Sequence, residues 1–368
     1  MNGPKHPHAS RGPASRRAAW RVVALAAGTC AALALCETLL RCLLPQPASW
    51  LAIYAAHPRL EAYGLAPNQH ALVETGECRW EVHTDSRGHR TGAATSSADP
   101  GLPTVLWLGD SFTFGYSVSH AESFVGRIAG RDRGTRIHVN AAVPGHGPRE
   151  YADTLDDLLQ QGLEPQAVIA CTYVGNDLMD MVWDKPNVVR NGVVGDRGDL
   201  RSFVKRNLHT YRLASRAWQA WVPGPSRHQG PLGSVADPSA WSTEPLASAS
   251  LGYRESFARM ASTCATRGIP FHVVVLPPRQ TVAAARGESA PVDSQRSDPR
   301  LPVAKVRSLL EQTGLAPVDV TDALAAEQVE RTYFRHDTHF TPAGHALVAD
   351  ALVARLASLA EAAPAPPR

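Results

Sequence analysis

The chain is 368 residues long, 44% hydrophobic and 19% charged, which excludes a disordered or fibrous protein and allows one large domain or two small ones. Its formal net charge of +3 is unevenly placed. Lys5, Arg11, Arg16, Arg17, Arg21 and Arg41 against Glu37 give the first 45 residues +5 and leave −2 for the body, so nothing in the charge favours nucleic-acid binding.

Val22 to Cys36 is an uncharged, mostly apolar run between Arg21 and Glu37. Alone it is shorter than the roughly 20 residues of a spanning helix, but Leu39, Leu40, Leu43 and Leu44 continue it, and Arg41 can snorkel. The preceding basic residues put residues 1–45 in place as a cytoplasmic tail and signal anchor, with the body periplasmic or otherwise extracytoplasmic. A cleaved signal peptide competes with this reading. No good Ala-x-Ala site is present, and Leu35 before Cys36 is a poor lipobox, so the uncleaved anchor is expected. Cys30, Cys36 and Cys42 belong to this segment. Cys78, Cys171 and Cys264 are scattered through the body and allow at most one internal disulfide.

Residues 46–102 hold few periodic runs and read as an extension packed on the main domain. Within them Trp80 to Thr84 alternates like a strand, and Ser86-Arg87-Gly88 reads as a turn. Thr104 to Leu108 is a short apolar strand that runs into Gly109-Asp110-Ser111, with helical spacing onward to about Ala129. Arg136 to Val143 (strand), Arg149 to Gln161 (helix) and Ala167 to Val174 (strand) follow. The helix puts Tyr151, Leu155, Leu158 and Leu159 on one face. An insertion spans residues 178–250. Leu200 to Trp221 reads as a basic amphipathic helix, packed over the domain in preference to lying on a membrane, and Pro223 to Ser250 reads as loop. Glu255 to Arg267 and Ala343 to Ala357 are helical, Phe271 to Leu276 and Pro317 to Val320 are strands, and residues 361–368 are too rich in Pro and Ala to fold. Strands alternating with helices predict an α/β domain, residues 103–360, with a covered parallel sheet.

A serine between a parallel strand and its helix sits at the carboxyl edge of the sheet, where open α/β folds bind ligands. Ser111 is therefore a candidate nucleophile, although a Gly-Asp-Ser turn also serves simply to cap a helix. The Gly-x-Ser-x-Gly elbow is absent. A serine hydroxyl needs a base, an orienting acid and donors for an oxyanion. His339, just ahead of the last helix, can supply the base, and Asp337, two residues earlier, the acid. Gly145 after the second strand and Asn176 after the third can supply donors; equally, Gly145 can serve a positive φ alone, and Asn176 with Asp177 can cap a helix. His336, Asp337, His339 and His345 are metal-ligand types, but no helical His-x-x-x-His pair accompanies them, so no metal is expected.

Gly109-Asp-Ser-Phe-Thr-Phe-Gly115, Asn140 to Gly145, Gly175-Asn-Asp177 and Asp337-Thr-His339, in that order, resemble the SGNH (GDSL-type) hydrolase superfamily. The resemblance covers most of the chain beyond about Glu61 and is greatest to exported, membrane-anchored bacterial members. It implies a three-layer α/β/α sandwich with a flavodoxin-like parallel sheet. It also implies Ser111 as nucleophile, His339 as base, Asp337 as acid, and Ser111 N–H, Gly145 N–H and the Asn176 amide as oxyanion hole. Many members carry the acid three residues before the histidine, where this chain has His336. The expected activity is that of a serine esterase or deacylase, without cofactor, acting on O-acyl esters of an extracytoplasmic glycan or lipid; the substrate follows from location alone. An O-acyltransferase modifying a cell-envelope polysaccharide uses the same triad. A catalytically silent envelope binding or assembly protein is a third reading, against which retention of all four blocks argues.

Overall fold

A computed structural model describes residues 13–93, 101–183, 188–221, 235–288 and 297–362. The start of the basic tail, the beginning of the stretch read as loop after Trp221, and residues 363–368 of the tail lie outside these. Helix α1 (Pro13–Leu43) contains a 24-residue stretch, Trp20–Leu43, long and apolar enough to cross a membrane. It is followed by a hairpin of β1 (Tyr54–Ala56) and β2 (Tyr63–Leu65), then β3 (His70–Glu74), β4 (Arg79–Thr84) and β5 (Arg90–Thr91). The α/β region begins with β6 (Thr104–Leu108), α2 (Ser111–Phe114), α3 (Phe124–Arg131), β7 (Ile137–Asn140), α4 (Pro148–Gln160) and β8 (Ala167–Tyr173). A small hairpin, β9 (Val189–Arg190) and β10 (Val193–Val194), leads to α5 (Leu200–Asn207) and α6 (His209–Trp221). Then come α7 (Leu246–Thr266), β11 (Phe271–Leu276), α8 (Arg279–Ala285), α9 (Leu301–Glu311), β12 (Val318–Asp319), α10 (Thr321–Ala325), α11 (Val329–Thr332) and α12 (Pro342–Ala362).

The main sheet runs β12-β11-β8-β6-β7-β5-β4-β3. Its five strands β12 to β7 are parallel, and β5, β4 and β3 extend it antiparallel from the β7 edge. Numbered along the chain, the parallel strands have the order 2-1-3-4-5 of flavodoxin-like sheets, with the ligand crevice where β6 and β8 diverge. Both faces are apolar because successive strand residues point to opposite sides. Leu106, Leu108, Val168, Ala170, Val273 and Val275 meet one layer of helices, where α7 contributes Tyr253, Phe257 and Met260. Val105, Trp107, Ile169, Cys171, Val274 and Leu276 meet the other, with Phe124 and Ile128 of α3 and Val348 and Leu352 of α12. The three-layer α/β/α expectation thus holds.

Several boundaries differ, each for a tertiary reason. The helical spacing after Ser111 splits into α2 and α3, because buried Arg90 on β5 donates to the Gly115 and Val118 carbonyls at 3.0 and 2.7 Å and holds residues 115–118 as a loop. The single helix expected over 200–221 breaks at Leu208. There the Glu37 carboxylate accepts the His209 and Thr210 N–H groups, each at 2.9 Å, and starts a new helix. Helix α7 begins inside the stretch read as loop, because Leu246 and Ala249 are buried against the core while Ala and Ser between them tolerate the helix. All six cysteines are free; Cys171 and Cys264 belong to opposite layers and cannot meet.

Candidate active site

Strand β6 ends at the carboxyl edge of the sheet, and Gly109 turns the chain there. A Cβ at Gly109 would stand 2.1 Å from Thr113 Oγ1, so only glycine admits this close approach. Asp110 then caps α2, its Oδ1 accepting the Phe112 N–H at 2.9 Å. Ser111 is the first residue of that helix.

His339 arrives from a loop clamped at its base by the Tyr333–Phe340 bridge, both rings fully buried. Its Nε2 lies 2.8 Å from Ser111 Oγ, and its Nδ1 lies 3.0 Å from Asp337 Oδ2. With Asp337 ionised, Nδ1–H donates to the carboxylate, and Nε2 is left to accept the serine hydroxyl. The ring packs against Phe112 and Tyr116, at centroid distances of 4.7 and 4.9 Å, and Phe112 in turn stacks on Tyr173 at the end of β8. Burial pulls the His339 pKa down, but the charge and hydrogen bond of Asp337, with the more distant Asp110 charge, outweigh it and raise it above 6.5. A raised pKa makes this imidazole a stronger proton acceptor. Between acid and histidine, Thr338 has φ +64°, a left-handed conformation costing about 1–3 kcal/mol in a β-branched residue.

Gly145 and Asn176 follow β7 and β8, the two strands that flank β6. Gly145 has φ +86°, and a Cβ there would lie 2.4 Å from Tyr63 Oη. The Tyr63 hydroxyl donates to the adjoining Pro144 carbonyl at 3.1 Å. One Asn176 amide hydrogen goes to Asp180 Oδ2 at 2.6 Å, which fixes the rotamer of the amide. Asp177 is buried and accepts the Tyr173 N–H and the Tyr151 hydroxyl.

Of the two positions open to the acid, the carboxylate that reaches the histidine is that of Asp337; His336 sends its backbone N–H to Glu77 at 3.0 Å. His345 turns inward, accepting the Phe124 N–H at 3.2 Å, and burial holds its pKa well below the usual value. Among the described residues, the trio of side chains with metal-ligand spacing is His70, Glu81 and His83. They lie at the far end of the β3–β4 hairpin from the site.

Sequence reasoning missed Tyr63, Glu77 and Ser117. The Ser117 hydroxyl donates to Asp337 Oδ2, the same oxygen that His339 uses. No local pattern marks these residues, since each meets its partner across a long sequence separation.

Residues 241–368 match the family model described as an SGNH hydrolase-like domain, acetyltransferase AlgX. No curated protein matches the chain. Several solved structures are similar, three of which follow. An α/β hydrolase, LAE5, from the metagenome of Lake Arreo, Spain, is 14% identical, covering 70% of this chain and 96% of its own, with TM-score 0.39. The lipase/acylhydrolase of Enterococcus faecalis is 14% identical, covering 70% and 96%, with TM-score 0.38. Axe2, an acetylxylan esterase of Geobacillus stearothermophilus, is 13% identical, covering 71% and 96%, with TM-score 0.38. The chain thus has an SGNH hydrolase-like fold, a parallel sheet of this strand order with Gly109-Asp-Ser111 leaving its central strand and Asp337 and His339 inside the segment that matches the family model.

Proposed function

We propose that the chain is a serine esterase or deacylase, and the observation that carries this reading is the unbroken hydrogen-bonded line from Ser111 through His339 to Asp337. Ser111 Oγ attacks the ester carbonyl while His339 Nε2 takes its proton, and Asp337 stabilises the imidazolium that results. The tetrahedral oxyanion is met by the Ser111 and Gly145 N–H groups and the Asn176 amide. Collapse expels the alcohol, protonated by His339, and leaves an acyl group on Ser111. Water, activated by the same imidazole, then releases the carboxylic acid.

A second reading ends the same way except in its last step: a sugar hydroxyl replaces water and carries the acyl group away. The match to a family described as an acetyltransferase favours it. Both readings need an acylated donor, and both suit an envelope glycan or lipid if the body lies outside the cytoplasmic membrane. Retention of α1 as an anchor is supported by its contacts with the body. Glu37 accepts from His209, Thr210 and the Thr210 hydroxyl, and Arg41 donates to the Asn207 carbonyl.

The full chain in detergent, exposed to a fluorophosphonate, is expected to be labelled at Ser111 in the wild type and in neither Ser111→Ala nor His339→Ala. Absence of labelling in the wild type would end the enzyme reading. Adding glycan acceptors with an acetyl donor then separates the two last steps: free acetate alone supports hydrolysis, and acetylated glycan supports transfer.

A further inference from the structure

We infer that the segment preceding β6 is a working part of the active site, with Glu77 as the positioning residue that holds the loop of Asp337 and His339. This rests on the catalytic reading above. Glu77 lies in the tight turn between β3 and β4, more than 250 residues from the loop it touches. Its carboxylate accepts three consecutive backbone N–H groups. Oε1 takes that of Arg335, while Oε2 takes those of His336 at 3.0 Å and Asp337 at 3.1 Å. Successive N–H groups turned to one side form a concave site for an anion, and here a side chain of the same protein fills it.

The turn that presents Glu77 is itself braced. Thr75 Oγ1 accepts the N–H groups of Glu77 and Cys78 at 3.2 and 3.1 Å, and the Thr75 N–H closes onto the Cys78 carbonyl at 2.9 Å. The loop it holds needs bracing, because Thr338 adopts φ +64° between the acid and the histidine. Strained backbone of this kind persists only where its surroundings over-determine it. Without Glu77, three adjacent N–H groups lose their acceptor, and the peptide that sets the Asp337–His339 distance is free to relax. Two neighbours in the extension act on the other walls of the site. Tyr63 donates beside Gly145, and Arg90 holds the loop of Ser117 by its carbonyls.

The test measures the rate of fluorophosphonate labelling of the full-length protein for the wild type, Glu77→Ala and Glu77→Gln, with the folded fraction of each taken from circular dichroism. Outer residues that orient a reacting group are worth about 10–100-fold in activity, and Glu77→Ala is expected to lose that much per folded molecule. Glu77→Gln keeps the shape and one acceptor oxygen and is expected to fall between. Added formate is expected to restore labelling in Glu77→Ala by filling the vacated cradle, and to leave Glu77→Gln unchanged; global unfolding would not respond to it. Wild-type labelling with Glu77→Ala and Glu77→Gln at the same rate overturns the inference alone. An unlabelled wild type overturns the catalytic reading, and the inference with it.

Discussion

Asp337→Asn separates the charge of the acid from its hydrogen bonding. The bond from His339 Nδ1, at 3.0 Å, and the bond from the Ser117 hydroxyl both end on one atom, Oδ2. An asparagine whose carbonyl oxygen takes that place keeps both bonds and the histidine tautomer, and loses only the negative charge. What disappears is the attraction between carboxylate and imidazolium as Ser111 gives up its proton. For charge centres about 4 Å apart at an effective dielectric of about 20 this is about 4 kcal/mol. At about 1.4 kcal/mol per tenfold it sets a ceiling of about 10³-fold in rate. The two side chains are 13% and 19% exposed, so water screens part of that. The expected loss in kcat/KM is about 10²-fold, smaller than for Ser111→Ala. The assay is p-nitrophenyl acetate hydrolysis as a function of pH. In the wild type, His339 is neutral only above its raised pKa, so activity climbs with pH through a value above 6.5. In Asp337→Asn burial is no longer outweighed by the carboxylate, and the climb moves to lower pH. Full activity, or a loss as large as that of Ser111→Ala with the climb unmoved, would refute the role given to this carboxylate.

Asn176→Ala removes one proposed oxyanion donor and is expected to lower kcat by about 10²–10³-fold. A kcat within twofold of wild type would strike Asn176 from the site. Gly145→Ala forces a Cβ to within 2.4 Å of Tyr63 Oη at φ +86°, and is expected to cost about 1–3 kcal/mol of stability along with activity. Chemical denaturation reads the first, and an unchanged midpoint would mean that the turn accommodates a side chain. Glu37→Ala strips the start of α6 of its acceptor, worth about 1–2 kcal/mol for a helix cap, so trypsin is expected to cut faster at Arg212 and Arg216. Equal cutting rates would show that α6 does not depend on α1.

The strands β6, β8 and β11 are readable from the chain because each is a short apolar run whose two faces are both buried, so their residue types alone mark them. Ser111, Asn176 and His339 stand out in the chain as candidates, because nucleophilic catalysis restricts the residue types and each stands next to a periodic element, and the structure brings the Ser111 and His339 side chains into hydrogen-bond contact. The short strands β1, β2 and β5 are not legible. Their two or three residues are too few to show a period; β1 and β2 hold shape by pairing with each other as a hairpin, and β5 by pairing with a distant partner, as Arg90 does with Asn140. The same holds for the finer parts of the site. Which of His336 and Asp337 faces the imidazole depends on one left-handed peptide at Thr338, and that peptide depends on a carboxylate at position 77. Local sequence fixes the chemistry on offer through side-chain type and period. The choice among neighbours in a loop is made by contacts between segments hundreds of residues apart, and no short-range pattern records those.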